Sequence, residues 1–276
     1  MARTAARPGS ATNGNTAVSA TVAWLCVTPV KGMRLHEVAE VRLERHGAHN
    51  DRRFVVTDER CHLVNGKHLG ALMQLVALCD EAASTLTVRF PDGTEVTDSV
   101  ELGAVELMMA YGHQRAVRAV IGPWSAALSN WAGRELRLTQ PVDPGDGVDR
   151  RRQGGVTLLS QAALDWLARG AAVDQVDLRR FRMTVGIAEV DAFTEEHWLG
   201  RAVRMGDAVV RVGGNVGRCA VTTEDPESGV ADLRTLHVLA RLRRGVHATE
   251  PLPFGVWGEV IAPGVVRVGD PVDASD

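Results

Sequence analysis

The chain has 276 residues, of which 45% are hydrophobic and 24% are charged, and its formal net charge is −3. This length is enough for one large domain or for two smaller domains that each bury a core. The near balance of charge gives no basis for binding nucleic acid or an anionic membrane surface. No apolar run approaches the length that spans a membrane. We therefore expect a globular protein that binds neither nucleic acid nor a membrane.

The four cysteines are scattered along the chain, at Cys26, Cys61, Cys79 and Cys219. They form no CxxC pair, so their spacing predicts neither a zinc site nor an iron–sulfur cluster nor a secreted disulfide framework. A reducing cytoplasm fits this pattern best. Residues 1–20 are rich in Ala, Thr, Gly, Asn and Ser and lack the apolar centre of a secretion signal. We expect them to form a disordered tail.

From Thr21 onward, short apolar or alternating segments are separated by turn signals, which is typical of a barrel or a sandwich. The strands predicted in the first half lie at 22–27, 38–44, 54–57, 63–64, 75–78 and 86–90. Trp124, Leu128 and Trp131 are spaced as i, i+4 and i+7, and Gly133 follows them. This spacing predicts a short amphipathic helix with a glycine stop.

Prolines, glycines and acids concentrate at 141–153, which predicts a linker between domains at 21–140 and 154–276. After it, Ser160 is placed to cap a helix over 161–169 that Gly170 stops. A second helix is expected over 232–244, with Leu233, Leu236 and Ala240 on its apolar face. Further strands are predicted at 183–187, 209–212 and 265–268. The fold class that follows is mixed α/β and predominantly β.

The most informative stretch is 216–229, which reads VGRCAVTTEDPESG. It places Cys219 after a glycine-rich turn, directly behind Arg218, at the start of a predicted short strand. A neighbouring arginine favours the thiolate, the form that attacks electrophiles and binds soft metals. The alternative for a lone cysteine is a small buried hydrophobe beside an ordinary turn.

This string resembles the cysteine motif of MOSC domains, and in particular the branch that contains the mitochondrial amidoxime-reducing component and its bacterial relatives. The resemblance extends over about residues 21–273, with several motifs in the same order. It implies a MOSC N-terminal barrel-like domain followed by a MOSC β-barrel domain. It also implies that Cys219 is the protein ligand of molybdenum in a pterin cofactor, molybdopterin. At family level it further implies pyridoxal phosphate binding.

Two segments of the first half, TPVKG at 28–32 and NDRRF at 50–54, resemble signatures of the MOSC N-terminal domain. The resemblance implies that Lys31 and Arg52 bind the phosphate or nucleotide end of the cofactor, and a lysine and an arginine suit such contacts. Gly32 stands where relatives often carry serine, so a backbone N–H replaces the hydroxyl. Lys67 stands where relatives have arginine, and a solvated loop lysine is its alternative.

The segment RRFRMT at 179–184 resembles one that lies against the pterin and its phosphate. This match implies that Arg180 and Arg182 are cofactor contacts, with Arg180 standing where asparagine is common. A strand edge stabilised by salt bridges is the alternative for these arginines. The resemblance adds three hydroxyl residues as cofactor contacts, Ser160, Thr222 and Thr223, although helix capping explains Ser160 equally well.

The reaction that the resemblance implies is reduction of an N-hydroxylated or N-oxide substrate, which consumes electrons and protons. Asp225 is the candidate proton relay, and the alternative is that it caps its own turn. The sequence contains neither a ferredoxin-type cysteine cluster nor a GxGxxG motif opening a βαβ unit. We therefore expect a separate electron donor, a flavin reductase, a cytochrome or a ferredoxin. Two other functions stay open: a carrier of the cofactor or of sulfur, and a MOSC-fold enzyme of specialised metabolism that no longer uses molybdenum.

Overall fold

Short strands and turns dominate the computed structural model, which describes residues 20–275. The predicted tail lies outside the described residues, except for Ala20. The strands of the first half are β1 (Thr21–Val27), β2 (His36–Val38), β3 (Glu40–Glu44), β4 (Gly47–Ala48), β5 (Val55–Asp58), β6 (Leu63–Val64), β7 (Val76–Asp80), β8 (Thr85–Arg89), β9 (Glu95–Ser99), β10 (Glu101–Ala110), β11 (His113–Ile121) and β12 (Leu136–Pro141). The strands of the second half are β13 (Val156–Ser160), β14 (Val185–Ala188), β15 (Ala202–Met205), β16 (Ala208–Gly217), β17 (Pro253–Ala262), β18 (Gly264–Arg267) and β19 (Val272–Ser275).

Three α-helices accompany these strands in the described part of the chain: α1 (Trp124–Ala132), α2 (Gln161–Ala171) and α3 (Thr235–Leu242). The remaining helical turns are 3-10 helices, at Gly70–Gln74, Pro144–Gly147, Arg151–Gly154, Leu178–Phe181, Thr194–Trp198 and Ala220–Thr223. The predicted class, mixed α/β and predominantly β, is confirmed.

The largest sheet has eight strands in the order β19-β15-β16-β17-β13-β14-β1-β2. A five-stranded sheet has the order β10-β11-β12-β5-β6, and two three-stranded sheets have the orders β18-β3-β4 and β7-β8-β9. Strands β13 and β14 run parallel, as a crossover through α2 requires. One core is formed by aliphatic side chains of the largest sheet and of β18-β3-β4, including Leu25, Leu43 and Val210. A second core contains Phe54, Leu86 and Trp124.

The first strands of the chain pair with strands from its second half. Strand β1 lies antiparallel to β14, and β3 lies antiparallel to β18. Residues 21–48 therefore share sheets and a core with the region after 154, across the division expected at 141–153. Directly after β1, Val30 bridges to Phe54 beside the five-stranded sheet. The segment 28–32 thus passes from one sheet to the other, which places Lys31 where the two meet.

Helix α1 is confirmed, with Trp124 and Leu128 buried and Gly133 in the left-handed conformation at its end. The stop expected for α2 is wrong, because the helix continues through Gly170 and ends with a left-handed Ala172. Gly170 serves the packing of α2 on α3. A Cβ at Gly170 would lie 2.5 Å from Leu242 Cδ1, so the missing side chain lets the two helices approach closely.

The apolar face expected for α3 is wrong in part: Leu233 precedes the helix and packs against a core, and Leu236 is half-buried. The buried side chains are Thr235, Val238 and Leu239, whereas Ala240 is exposed. The Thr235 hydroxyl lies 2.8 Å from the Thr222 hydroxyl, a contact that turns this face of α3 toward the body of the protein. A buried threonine paired in this way has no signature in hydrophobic spacing.

The segment expected to be a linker, 141–153, is folded. Asp143 accepts a hydrogen bond from the Gly145 backbone N–H at 3.0 Å, which starts the first of its two 3-10 helices. Gly145 and Gly147 are buried, and the Arg115 guanidinium donates to the Asp146 carbonyl at 2.7 Å. These contacts fix the segment between the two halves of the protein. A flexible linker would make no such contacts.

Gly229 joins the loop after Cys219 to the first half of the chain, and we expect Gly229→Ala to destabilise the protein. Gly229 has a φ of +70°, and a Cβ there would lie 2.0 Å from the Gly70 carbonyl oxygen. We expect a loss of roughly 2–4 kcal/mol in the free energy of unfolding, from strain and overlap together. Urea denaturation measures this loss.

The matched control is Gly93→Ala, since Gly93 has a φ of +86° and nothing within 4 Å of its added Cβ. The free energy of unfolding that Gly93→Ala loses reports backbone strain alone and should be about 1 kcal/mol. Equal losses in the two variants would contradict the close approach of Gly229 to Gly70.

Candidate functional site

One cavity lies where the segment 28–32, the folded segment 141–153 and the loop 218–232, which we call the cysteine loop, meet. Its walls carry apolar groups such as Met73, Phe181 and Val221, and the described lining residues include a single carboxylate, that of Asp149. Most of the other charged or titratable lining residues are cationic, the exceptions being Tyr111 and Cys219. The cationic lining residues are Lys31, Arg52, Lys67, Arg150, Arg180, Arg182 and Arg218. The cavity is therefore suited to an anionic ligand.

Cys219 is half-buried and lines this cavity. It lies two residues after Gly217, the last residue of β16, whose N–H donates to the Glu250 carboxylate at 2.9 Å. The strand expected after Cys219 is wrong, because the chain turns into the 3-10 helix Ala220–Thr223. The Thr222 hydroxyl donates to the Cys219 carbonyl at 3.0 Å, and this bond across three residues favours a helical turn over a strand. Cys219 thus lies at the cavity wall, directly before this turn.

Arg218 uses its hydrogen bonds on the main chain of two neighbouring segments. Its guanidinium donates to the Phe181 carbonyl at 2.8 Å and to the Phe254 carbonyl at 2.9 Å. It also lies against both aromatic rings, 5.3 and 5.9 Å from their centroids. Removal from water lowers the pKa of Arg218 to about 9. Within residues 20–275 no hydrogen bond joins it to Cys219, so its role is to attach the cysteine loop to neighbouring elements.

Lys31, Arg52 and Arg182 line the cavity close enough for the charge of Arg52 to act on the other two. The Lys31 ammonium donates to the Gly147 carbonyl at 2.9 Å and to the Asp149 carboxylate. Arg52 donates to the Arg182 carbonyl at 2.8 Å and also contacts the Asp51 carboxylate. We call these three side chains the cationic cluster.

The cationic cluster is held out of water. Burial lowers the pKa of Lys31, and it lowers the pKa of Arg182 to about 10 with a further contribution from the positive charge of Arg52. Arg182 donates to the Met33 carbonyl at 2.8 Å, and no carboxylate in the described structure forms an ion pair with it. An anion in the cavity would offset this desolvation, because a charged partner binds a guanidinium more strongly than a carbonyl does.

Gly32 lines the cavity beside Lys31 with a φ of +92°. A side chain there would be strained, and its Cβ would lie 3.1 Å from Leu72 Cδ1. The serine that relatives often carry is therefore disfavoured by this backbone, which brings the main chain itself to the cavity wall. Lys67 also lies at the cavity, with an exposed side chain and its N–H bonded to the Asn65 side chain at 3.0 Å.

Arg180 reaches the cavity wall, yet its hydrogen bonds go to the cysteine loop. Its guanidinium binds both oxygens of Asp232 at 2.6 Å and the Glu224 carbonyl at 2.8 Å. Thr222 likewise lines the cavity while its hydroxyl is used within the loop. These contacts give both residues a part in positioning Cys219.

Three of the predicted site residues do not line the cavity: Ser160, Thr223 and Asp225. Ser160 is buried and accepts a hydrogen bond from the Phe193 N–H at 3.1 Å, and its side chain does not cap α2. The Thr223 hydroxyl donates back to the Ala220 carbonyl at 2.6 Å. Both hydroxyls are therefore used by the protein itself.

The geometry of Asp225 supports the capping alternative. One of its carboxylate oxygens accepts from the Ser228 N–H at 2.8 Å, the Ser228 hydroxyl at 2.9 Å and the Glu227 N–H at 3.1 Å. The hydrogen bonds of Ser228 lower the pKa of Asp225, so the carboxylate is ionised at neutral pH. An ionised group held in a turn has no proton to donate.

Sequence reasoning missed Asp149, Tyr111 and Asn65, which all line the cavity. The Tyr111 hydroxyl donates to the Asp149 carboxylate at 2.9 Å and accepts from the Asn65 side chain at 3.2 Å. Asp149 belongs to the segment interpreted as a linker, and Tyr111 lies in the turn between β10 and β11. The available signal was that Tyr111 is the chain's single tyrosine, which by itself indicates no site.

The donor set fits a cofactor that has an anionic end and a soft metal. Within residues 20–275 no group of His, Cys, Asp and Glu side chains is arranged to hold a metal ion by itself. The protein offers one thiol, a soft ligand, and the cationic cluster for an anion. A molybdenum–pterin group, which supplies its other metal ligands, matches this combination.

In the described part of the chain, the helices are too short or too polar to cross a membrane.

Comparison with known proteins is consistent with this site. A "MOSC N-terminal beta barrel domain" matches residues 19–120, and a "MOSC domain" matches residues 147–273. Mitochondrial amidoxime-reducing component 1 of Homo sapiens is 25% identical over 91% of this chain and 82% of its own length. The Xenopus laevis protein of the same name is 33% identical over 42% of this chain and 35% of its own length.

Two more distant likenesses were found. Molybdenum cofactor sulfurase 2 of Culex quinquefasciatus is 25% identical over 84% of this chain and 33% of its own length. Among solved structures, the YUAD protein of Bacillus subtilis superposes with a TM-score of 0.46 at 10% identity, over 92% of this chain and 94% of its own. The two domain matches follow one another along nearly the whole described chain. The chain is thus a member of the MOSC family, with a MOSC domain that follows a MOSC N-terminal β-barrel domain.

Proposed function

We propose that this protein binds a molybdenum–pterin cofactor through Cys219 and reduces N-hydroxylated or N-oxide compounds. The observation that carries the proposal is that Cys219 and the cationic cluster line one cavity. Had the thiol been enclosed in a packed core, or had the three cations pointed elsewhere, the proposal would have no support. The name of the amidoxime-reducing relatives supports the reaction type.

Lys31, Arg52 and Arg182 would hold the anionic end of the cofactor, and the Gly32 backbone would face the same end. Arg182 suits a forked contact with phosphate oxygens, whereas Lys31 supplies a point charge. Cys219 would hold the metal, because a soft thiolate donates strongly to it. When bound, the group supplies oxygen-atom transfer and the exchange of electrons. The protein's own share is to position these ligands and to shape the pocket.

The cysteine loop supplies the positioning. Arg180 and Asp232 hold it from one side, and Arg218 attaches it to Phe181 and Phe254. For Asp225 we propose the capping role, since its carboxylate lies in the turn and outside the cavity lining. Protons for the reaction would then enter with water through the cavity mouth.

Electrons are proposed to come from a separate protein, a flavin reductase, a cytochrome or a ferredoxin. The basis for this is the sequence, which contains no dinucleotide-binding fingerprint and no clustered cysteines for an iron–sulfur group. Cytoplasmic localisation and pyridoxal phosphate binding stay predictions from the sequence and from the resemblance.

A second candidate function is a carrier that binds the cofactor, or sulfur on Cys219, and passes it on. It is favoured by the likeness to a protein named molybdenum cofactor sulfurase 2. The two functions differ in turnover. Purified protein that contains molybdenum yet leaves hydroxylamines, amidoximes and N-oxides unchanged with an artificial reductant would favour the carrier.

We expect Cys219→Ala to fold normally while losing reductase activity, because alanine leaves the metal position without a protein ligand. Reduction of a simple amidoxime with an artificial electron donor measures the activity. The control is Cys61→Ala, since Cys61 is a half-buried cysteine outside the cavity lining. Unchanged turnover in Cys219→Ala would contradict the proposed role of the thiol.

We expect Arg182→Met to reduce the retention of cofactor roughly tenfold or more, since it removes a charge-assisted hydrogen-bond donor of the cationic cluster. Molybdenum per chain by mass spectrometry, and the pterin released on denaturation, measure it after dialysis. Arg169→Met, on the exposed last turn of α2, is the matched control. Equal metal and pterin content in both variants would contradict the assignment of Arg182.

A further inference from the structure

Lys31 already has an anionic partner inside the cavity, and that partner belongs to the chain. Its ammonium forms an ion pair with the Asp149 carboxylate, and the side chains of Lys31 and Asp149 are 9% and 58% exposed. The buried lysine is thus paired with a carboxylate on the open side of the cavity. In the proposed function, an incoming phosphate-type group needs the same ammonium protons.

The charge of Asp149 acts on the whole cationic cluster. Partial desolvation among the cavity walls acts to raise the pKa of Asp149, although its side chain is exposed at the mouth. The charge and hydrogen bond of Lys31 outweigh this effect and hold that pKa well below its usual range, with smaller contributions from Tyr111 and Arg52. Asp149 in turn raises the pKa of Arg182, against the desolvation that lowers it. The carboxylate is therefore ionised at any physiological pH, and it does for the cluster what a bound anion would do.

The backbone on either side of Asp149 is fixed. The preceding 3-10 helix is held by the bond from Lys31 to the Gly147 carbonyl at 2.9 Å. Following it, Arg150 binds Glu250 with both ends of its guanidinium, at 2.9 and 2.5 Å. The Tyr111 hydroxyl contacts the carboxylate itself. Asp149 is thus presented to Lys31 by a folded wall, and its exposed side chain can turn toward solvent without unfolding that wall.

We propose that Asp149 is a built-in competitor for the anion that the cationic cluster receives, so that a phosphate-type ligand must displace this carboxylate from Lys31. The inference rests on the proposed function only in assigning an anion to the cluster. Displacing the Asp149 carboxylate costs the free energy of its ion pair with Lys31. The cavity therefore selects ligands of high negative charge. A singly charged anion exchanges one negative charge for another, whereas a pyrophosphate or a phosphate ester brings more charge than it removes.

The test is the affinity of inorganic pyrophosphate for the full chain, produced in cells that do not make the pterin. The affinity is measured by isothermal titration at low ionic strength and at about pH 6, an acidity that favours the charged form of a lysine. Asp149→Asn keeps the shape and the hydrogen-bonding oxygen while removing the competing charge. We expect it to bind pyrophosphate roughly five- to tenfold more tightly, the effect of removing one like charge near the site.

The matched control is Asp98→Asn, which removes the same charge from an exposed residue of β9 and should leave the affinity unchanged. Tyr111→Phe removes the hydroxyl that holds Asp149 and should tighten binding about twofold, as expected for loss of one hydrogen bond to the competitor. It also carries the test if circular dichroism shows Asp149→Asn to be unfolded. Lys31→Met should weaken binding in all backgrounds.

Two results would overturn the inference in distinguishable ways. If Lys31→Met weakens binding while the Asp149 and Tyr111 variants bind as the native chain does, or more weakly, the anion site stands and the competitor role is wrong. A weaker Asp149→Asn would show that the carboxylate positions Lys31 for the ligand. If neither the native chain nor any variant binds pyrophosphate, the anion site of the proposed function fails together with the inference.

Discussion

The structure depends on the burial of positive charge at the junction of its two halves. Removing a cation from water costs several kcal/mol unless partners replace the lost hydration. In this protein, main-chain carbonyls of Met33, Gly147 and Arg182 accept from the cationic cluster, and Asp51 and Asp149 supply negative charge from either side. These partners do not fully replace the lost hydration of Arg182, because burial lowers the pKa of its guanidinium to about 10. A cavity of this kind favours an anion, and the fold maintains it through contacts that span distant parts of the chain.

The position of the thiol depends on the same junction. Residues of the first half contact the loop after Cys219 through its backbone: Arg34 donates to the Glu227 carbonyl at 3.0 Å, and Gln74 donates to the Ser228 carbonyl at 2.9 Å. From the second half, Arg180 binds the Asp232 carboxylate. Because both halves hold one loop, the thiol and the cationic cluster keep a fixed relation to each other. This arrangement is what a cofactor bound at both its metal and its anionic end requires.

Much of the fold could be predicted from the sequence, because its signals are local. Val41 and Leu43 alternate and are buried, and Trp124 and Leu128 occupy one face of α1, as spacing alone indicated. The hairpin of β10 and β11 was missed, since apolar residues such as Val105 and Leu107 are exposed on it and obscure the alternation. The faces of α3 and the end of α2 depend on a helix contact that no local pattern encodes.

The candidate site was accessible to sequence reasoning where a motif carried it. The predicted residues that line the cavity include Cys219, Lys31, Arg52 and Arg182. They could be predicted because the strings around them resemble family signatures. Ser160 and Thr223 matched equally well, yet their hydroxyls bond to the main chain, which a string of letters does not reveal.

Asp149 shows the opposite limit. Its segment has the composition of a linker, and only the folded contacts of 141–153 with Lys31 and Tyr111 bring it into the cavity. Composition indicates how a segment behaves without tertiary contacts, and in the folded protein this segment is held by contacts with its neighbours.

The central claim is a bond between the sulfur of Cys219 and a metal held in the cavity. X-ray absorption at the molybdenum edge counts sulfur neighbours directly, in the native protein and in Cys219→Ser loaded with the same cofactor. The account expects one sulfur neighbour fewer in the variant, replaced by a shorter oxygen contact. Identical sulfur shells in the two proteins would show that residue 219 is not a ligand, and would contradict the account at its base.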